Sequence, residues 1–320
     1  MKLRNLAAGV VGGLGATALG NRLLSWKSGD LDPALEGNQR TYRWRGFDVA
    51  YTEAGDPEDP DVLLLHGVHA AASNKEFDQI FGQLAKTHHV IAPDLPGFGR
   101  SDRPPLTYSA ALYTAFVTDF AEDLTEDAAC VATSLSGAYA TLAQHQSRPF
   151  SRLVLVAPTG DTGPRRTWIR SLFRSPLVGQ GLFNLLTSKQ SLHFFDNREA
   201  YSTEASYTER DVDYQWQTAH QPGARFAPAS FVSGYLDPDV ELGEELAAVD
   251  VPVTIVWGRD ATVSPLEEGE ELAEQADAKL VVFDAAKLLP HAEHPGPFLE
   301  VLLDELTEEE RETGSSVTTQ

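Results

Sequence analysis

Cys130-Val131-Ala132-Thr133-Ser134-Leu135-Ser136-Gly137-Ala138 joins an apolar run to a segment of small residues. The run from Ala128 to Ala132 predicts a short buried strand, and a helical pattern follows it to about Gln146. Ser134 is therefore expected on a sharp strand-to-helix turn. Such a turn lifts one hydroxyl out of the sheet and points the first helix amides at whatever reacts with it. The sequence thus places a candidate nucleophile at residue 134.

The size and composition predict a globular protein. The chain has 320 residues, of which 42% are hydrophobic, enough for one large domain or two small ones with a buried core. Its single cysteine, Cys130, excludes an internal disulfide and argues against a cysteine-based metal site. Cys130 lies in the apolar run, where a small buried core residue is expected.

The charge balance is strongly acidic. There are 47 acidic residues against 25 basic ones, which gives a formal net charge of -22. Repulsion of this size argues against nucleic acid as a partner. An acid-rich surface poor in lysine suits a protein dissolved at high salt, where repulsion is screened. We interpret the composition as halophilic, and the acidic runs as solvated helix faces rather than metal sites.

The N-terminal segment, residues 1–27, is distinct from the rest of the chain. Leu6 to Gly20 are uncharged and mostly apolar or small, and basic residues precede them. This pattern fits a membrane anchor or uncleaved signal, a cleaved signal peptide, or a free arm. The protein is therefore expected to be membrane-associated through residues 6–20 or cytoplasmic, with secretion after cleavage as the other alternative.

The rest of the chain divides by its pattern. A polar linker is predicted over residues 28–39, and strands alternate with helices over 40–158. That alternation stops over 159–238, resumes over 239–308 and gives way to a polar tail over 309–320. Alternating strands and helices predict an α/β fold, a mostly parallel sheet with helices on both faces. The middle segment predicts a helical cap over the sheet edge where Ser134 emerges, because ligands of open α/β sheets bind at the carboxyl ends of strands.

Residues 40 to 308 resemble the α/β-hydrolase superfamily. The resemblance rests on several pieces in order: His66-Gly67, the loop from Asp94 to Asp102, the turn at Ser134, Trp257-Gly258-Arg259-Asp260, and the segment from Pro290 to Pro295. It implies a fold that needs no cofactor and no metal. Because the nucleophile position holds serine rather than aspartate, it also implies acyl chemistry.

The resemblance assigns roles around the turn. The oxyanion would be held by the backbone N–H groups of Val68 and Leu135, and the loop of His66 and Gly67 would support them. Relatives usually carry glycine on both sides of the nucleophile. Here the two positions are Ala132 and Ser136, so the turn is more crowded.

The acid and base positions of the family also differ. The position that usually carries the acid is Ala261, with Asp260 one place earlier, and the position that usually carries the base is Leu288. A histidine, His291, follows three residues later, although relatives keep a histidine there beside the catalytic one. A serine without a base is a poor nucleophile.

Three hypotheses follow. In a shifted triad, Asp260 is the acid and His291 the base. In the second, another group activates Ser134, from the cap, from Asp161 or from His69. In the third, acid and base were lost together, which leaves a pseudoenzyme.

We therefore expect a hydrolase that acts on a small apolar ester or related acyl compound through Ser134. The alternative is an impaired hydrolase that binds a small apolar ligand, held at a membrane by residues 6–20. Fold resemblance alone does not decide between them.

Overall fold

The computed structural model describes residues 20, 21, 23, 24 and 26–317, with side chains described to residue 307. Most of the hydrophobic segment predicted over residues 6–20 lies outside these residues. Among the helices that the structure describes, none is long and apolar enough to cross a membrane.

A sheet of eight strands forms the centre of the molecule. The strands are β1 (Asn38–Trp44), β2 (Phe47–Ala54), β3 (Asp61–Leu65), β4 (His89–Pro93), β5 (Ala128–Thr133), β6 (Phe150–Val156), β7 (Val253–Gly258) and β8 (Lys279–Phe283). Their order across the sheet is β1-β2-β4-β3-β5-β6-β7-β8. Strand β2 runs antiparallel to β1 and β4, and the remaining neighbours are parallel. The predicted α/β class is confirmed.

Between Asp78 and Val317, the structure describes twelve α-helices that connect and cover the strands. They are α1 (Asp78–Leu84), α2 (Ala110–Leu124), α3 (Leu135–Ser147), α4 (Thr167–Arg174), α5 (Val178–Leu186), α6 (Lys189–Phe195), α7 (Glu209–Ala219), α8 (Phe226–Phe231), α9 (Leu242–Ala247), α10 (Leu266–Ala276), α11 (Pro290–Glu293) and α12 (Pro295–Val317). Short 3₁₀ turns occupy Asn74–Phe77 and Glu204–Ser206, and Asp196–Ala200 form a π-helical turn.

The central strands are apolar because helices bury both of their faces. All six residues of β5 are buried. Its alternate side chains enter different cores, with Cys130 and Ala132 on one face of the sheet and Ala129 and Val131 on the other. Burial on both faces removes the polar positions that a half-exposed strand would show, and this explains the continuous apolar runs.

The residues between β6 and α9 form the predicted helical cap. This segment contains α4 to α8 and, among its described residues, no strand. It has a small core of its own, which includes Phe173, Phe183 and Val212.

The last helix differs in length from the prediction. The pattern predicted a polar tail over 309–320, whereas the closing helix α12 runs from Pro295 to Val317. The glutamate-rich run after Leu306 explains the extension, since glutamate and arginine are good helix formers even where no core is available.

Candidate active site

Ser134 lies on a strained turn between β5 and α3. Its backbone angles are φ 56° and ψ -129°, in a region that residues with a side chain rarely adopt. Two hydrogen bonds hold the turn, from Ser134 N–H to Val156 O (2.9 Å) and from Gly137 N–H to Ser134 O (3.0 Å). The side chain is half-buried, so a ligand can reach it.

Ser136 and Gly137, which follow the nucleophile position closely, each contribute to the shape of the turn. The Ser136 hydroxyl donates to the His66 carbonyl oxygen at 2.6 Å, which ties the turn to the neighbouring loop. A methyl group on Gly137 would lie 2.9 Å from Pro158 Cβ, so the backbone approach there requires glycine. Serine at residue 136 therefore occupies more space than the usual glycine, but its hydroxyl adds a hydrogen bond to the neighbouring loop.

The two residues whose amides are predicted to hold the oxyanion, Val68 and Leu135, lie near Ser134, Val68 in the wall of the same cavity and Leu135 next in the chain. Leu135 is the first residue of α3, and its N–H has no acceptor within the helix. Val68 follows the loop that His66 braces: Leu95 N–H donates to His66 Nε2 at 3.0 Å, and His66 Nδ1 lies 2.7 Å from Gly67 O. Because Nε2 accepts, the proton of the ring lies on Nδ1. This bracing fixes the position of the Val68 amide.

Ser134 opens into a cavity of about 220 Å³ between the core and the cap. The floor is formed by core residues, and the cap contributes the π-helical turn and part of α7. Besides Ser134, the lining includes Gly67, Val68, His69, Ala71, Lys75, Glu76, Asp78, Thr133, Ala157, Phe195, Asp196, Glu199, Tyr201, Asp211, Gln215 and Leu288. The wall is therefore mixed, with carboxylates beside aliphatic and aromatic groups.

The structure does not bring the predicted acid and base together. Asp260 is exposed on the turn after β7, and no hydrogen bond joins its carboxylate to His291. His291 is 1% exposed and packs between the rings of Phe77 and Phe298, at 5.4 and 5.6 Å. Neither residue lines the cavity at Ser134.

The two family positions carry no ionisable group. Leu288 lines the cavity where relatives place the base, and Ala261 is buried where they place the acid. Asp161 is exposed outside the cavity, and its carboxylate accepts the Gly163 N–H at 2.7 Å.

Glu76 reaches the turn from the 3₁₀ segment before α1, and the sequence had not indicated it. Its Oε2 accepts the Gly67 N–H at 2.9 Å, and its Oε1 lies 3.5 Å from His291 Nε2. A methyl group built on Gly67 would lie 3.4 Å from this Oε2 and 3.7 Å from Ser134 Cβ. The carboxylate and the serine therefore flank the same small space.

Glu76 is held in its ionised form. Burial works to raise its pKa, but the neighbouring His291, with smaller contributions from His66 and Thr133, outweighs it, so the pKa lies below the ordinary value. A glutamate in the first turn of a helix is normally explained by the helix dipole. Nothing in the sequence distinguishes Glu76 from that ordinary case, and only the fold brings it beside Ser134.

His69 stands at the mouth of the cavity. The residue is exposed to solvent. Its Nδ1 accepts the Ala71 N–H at 3.3 Å. Nε2 therefore carries the proton, and in this tautomer it cannot accept one from serine.

Comparison with known proteins agrees with this architecture. A model of the alpha/beta hydrolase family matches residues 62–301. The chain belongs to the alpha/beta hydrolase family.

Members of the family resemble the chain over most of its length. The 2-hydroxy-6-oxo-6-phenylhexa-2,4-dienoate hydrolase of Burkholderia cepacia is 27% identical over 273 residues, 81% of this chain and 91% of that protein. Among solved structures, a serine hydrolase involved in carbazole degradation has a TM-score of 0.69 at 20% identity, over 84% of this chain and 98% of its own. A membrane phospholipase A has a TM-score of 0.68 at 19% identity, over 96% of both chains. At these identities the two structures establish the fold.

Proposed function

We propose that the protein is a serine hydrolase that cleaves a small, largely apolar ester or related acyl compound. Ser134 is the nucleophile in this proposal, and the amides of Val68 and Leu135 hold the oxyanion. The observation that carries it is the strained backbone of Ser134 beside a cavity. Strain of this kind persists where a function requires it. The apolar part of the substrate would contact side chains such as Val68, Phe195 and Leu288.

The nucleophile needs a base, and Glu76 is the group that we assign to this role. It is ionised, buried and adjacent to the Ser134 side chain across Gly67. The assignment replaces the shifted pair, since Asp260 and His291 lie apart and outside the cavity. His291 acts behind Glu76, where it stabilises the carboxylate.

The proposed reaction proceeds through an acyl-enzyme. The Ser134 hydroxyl gives its proton to the Glu76 carboxylate while its oxygen attacks the carbonyl carbon. The oxyanion collapses, the bond to the alcohol breaks, and the alcohol takes the proton from Glu76. Water then cleaves the acyl-serine by the same steps. A carboxylate of low pKa is a weak base, so we expect slow turnover.

A fluorophosphonate probe tests the nucleophile. The folded protein, held in molar salt, is treated with the probe beside a Ser134→Ala variant that keeps the turn and removes the hydroxyl. We expect labelling of the first and none of the second. Labelling that does not depend on Ser134, or no labelling of folded protein, contradicts the hydrolase proposal.

A second function is favoured by one specific observation. Leu288 and Ala261 occupy the base and acid positions of the family, as expected for a binding protein that has lost turnover. In that case the cavity binds a small apolar ligand and the probe does not label Ser134. The labelling experiment therefore separates the two functions.

We also propose that residues 6–20 attach the protein to a membrane. The described residues next to this segment are helical and rest on the cap, where Asn184 Nδ2 donates to Asn21 Oδ1 at 2.9 Å. Apolar side chains are exposed there, with Trp26 at 82% and Leu185 at 66%. Liposome flotation tests the proposal. The full chain should float and a variant lacking residues 2–20 should not, while equal behaviour of the two contradicts it.

A further inference from the structure

Five carboxylates and one ammonium group line the cavity around Ser134. The ammonium belongs to Lys75, whose Nζ lies 2.5 Å from Asp78 and 2.7 Å from Asp211. Two carboxylates, Asp78 and Asp211, therefore already pair with this ammonium group. The remaining acids are Glu76, Asp196 and Glu199. The cavity thus keeps an excess of negative charge.

Asp196 is the most unusual of these acids. It opens the π-helical turn of the cap and is 7% exposed. Gln215 Nε2 donates to its Oδ1 at 3.2 Å, but its Oδ2 is buried and has no hydrogen-bond partner among the described residues. A buried carboxylate oxygen without a donor is costly for the folded protein. A donor supplied by a ligand would remove that cost.

Four of the acids act on one side chain of the cavity wall, Tyr201. Burial raises the pKa of Tyr201 well above its usual range, and four carboxylates around the ring raise it further: Asp196, Asp211, Glu76 and Asp78. Glu76 Oε1 lies 3.5 Å from His291 Nε2, whereas Asp196 Oδ2 has no hydrogen-bond partner among the residues that the structure describes. The general acidity of the protein does not explain Asp196 and Glu76, since surface acids are solvated whereas the side chains of these two are largely buried.

An organic cation fits these acids better than a metal ion. No three His, Cys, Asp or Glu side chains in the described part of the chain are grouped to hold a metal. An ammonium group needs no such closed shell, because it donates up to three separate hydrogen bonds. The apolar wall beside the acids fits the carbon chain that would carry it.

We propose that the cavity binds an acyl compound that carries an ammonium group, with Asp196 Oδ2 as the acceptor for that group. Glu76 contributes negative charge, and the carbonyl lies at Ser134. The assignment of the reacting end rests on the proposed function, whereas the cation site does not. The substrate class narrows accordingly to amino-functional esters.

Ligand binding to the Ser134→Ala variant tests the proposal without any turnover. Hexylammonium, hexanol and hexanoate share one chain length and differ in charge. Calorimetry in molar salt should show hexylammonium binding at least about tenfold more tightly than hexanol, and hexanoate more weakly still. Salt screens long-range attraction to the acidic surface but affects a buried pair much less.

The residue is then tested by Asp196→Asn, which keeps the shape of the side chain and its amide contact. We expect this change to remove the preference for hexylammonium, and Glu271→Gln, an exposed acid on α10, to retain it. Equal binding of the three probes, no binding, or a preference that survives Asp196→Asn overturns the proposal. The comparison of probes uses one protein, so it decides even where the Asn variant does not fold.

The outcome is independent of the labelling experiment. A cation preference without fluorophosphonate labelling leaves the cation site intact and removes the hydrolase proposal. Labelling without a cation preference supports the hydrolase proposal and removes the cation site.

Discussion

The two sides of the cavity floor differ in how their loops are built. After β3 and β5, the loops carry His66, Gly67, Ser134 and Ser136, and hydrogen bonds of His66 and Ser136 hold the loops of the proposed nucleophile and the proposed oxyanion amides. After β7 and β8, the positions that the family uses for acid and base carry only aliphatic side chains. In the proposed mechanism, binding of a carbonyl group and activation of the serine therefore depend on different parts of this fold.

The second side is nevertheless tightly built. A methyl group on Gly258, at the end of β7, would lie 1.9 Å from Lys287 O and 2.5 Å from Ala286 O. Glu293 accepts the Lys287 N–H at 2.7 Å and the Ser202 N–H at 2.6 Å, which joins this loop to the cap. Residues 261 and 288 carry no acid and no histidine, although the loops that hold them are well packed. Introducing an acid and a histidine at these positions therefore tests whether the loops can still support catalysis.

The largest effect is expected from the double variant Ala261→Asp, Leu288→His. If the backbone still presents these positions as the family does, an imidazole at residue 288 faces the cavity and an aspartate orients it. General-base assistance contributes about 10²–10⁴-fold, so ester hydrolysis should rise by at least about 10²-fold. The single Leu288→His variant, which lacks the orienting acid, is the matched control and should gain less. No gain in a folded double variant means that the backbone of the second side has also diverged.

The next effect is expected from Glu76→Gln. An amide oxygen can still accept the Gly67 N–H, so the loop is retained while the charge is lost. Hydrolysis and fluorophosphonate labelling should fall by about 10²-fold, the usual contribution of a general base. Steady-state kinetics beside Glu271→Gln measures the loss. Unchanged rates in Glu76→Gln would show that Glu76, beside the loops after β3 and β5, does not act as a base either.

These residues also show how far the sequence could lead. Apolar runs and small residues predicted the sheet, the turn at Ser134 and the helical cap, because burial on both faces and close backbone approach leave local marks. Glu76 and Asp196 carry no such mark, since each lies in a short helical segment where an acid is ordinary. Their importance comes from contacts with residues that are distant in sequence, such as His291 and Gln215. The closing helix was underestimated for the opposite reason, because propensity extends it without a core.

A smaller effect, on stability, separates Asp196 from ordinary acids. Burial raises its pKa from 3.8 to about 6, with His193 lowering it and Asp211 raising it as the nearest charges. Ionisation above pH 6 therefore opposes folding, by about 3 kcal/mol, and this cost disappears as the pH falls below about 4. Asp196→Asn should thus raise the thermal midpoint at pH 7.5 and leave it nearly unchanged at pH 4.

Asp239→Asn is the matched control, because Asp239 is exposed and pairs with Arg165 at the surface. Thermal unfolding across this pH range should show no comparable gain for it. Equal stability of Asp196→Asn and the parent at both pH values would mean that the carboxylate costs nothing, and the case for a ligand at Asp196 would weaken with it.

The smallest effect concerns the hydrogen bond that joins the loop after β3 to the turn after β5. Ser136 is fully buried, and its hydroxyl donates to His66 O. Ser136→Ala leaves that carbonyl without this donor, so the free energy of unfolding should fall by about 1–2 kcal/mol in urea titration. Labelling of Ser134 should fall as well, because His66 braces the loop that presents the Val68 amide. Thr118→Ala, which removes a buried hydroxyl that donates to Thr114 O in α2 and lies 3.3 Å from Gln146 Oε1 at the far end of α3, is the control for stability alone. Loss of stability in both variants, with reduced labelling only in Ser136→Ala, would show that serine at this position supports the oxyanion loop rather than merely filling the space of a glycine.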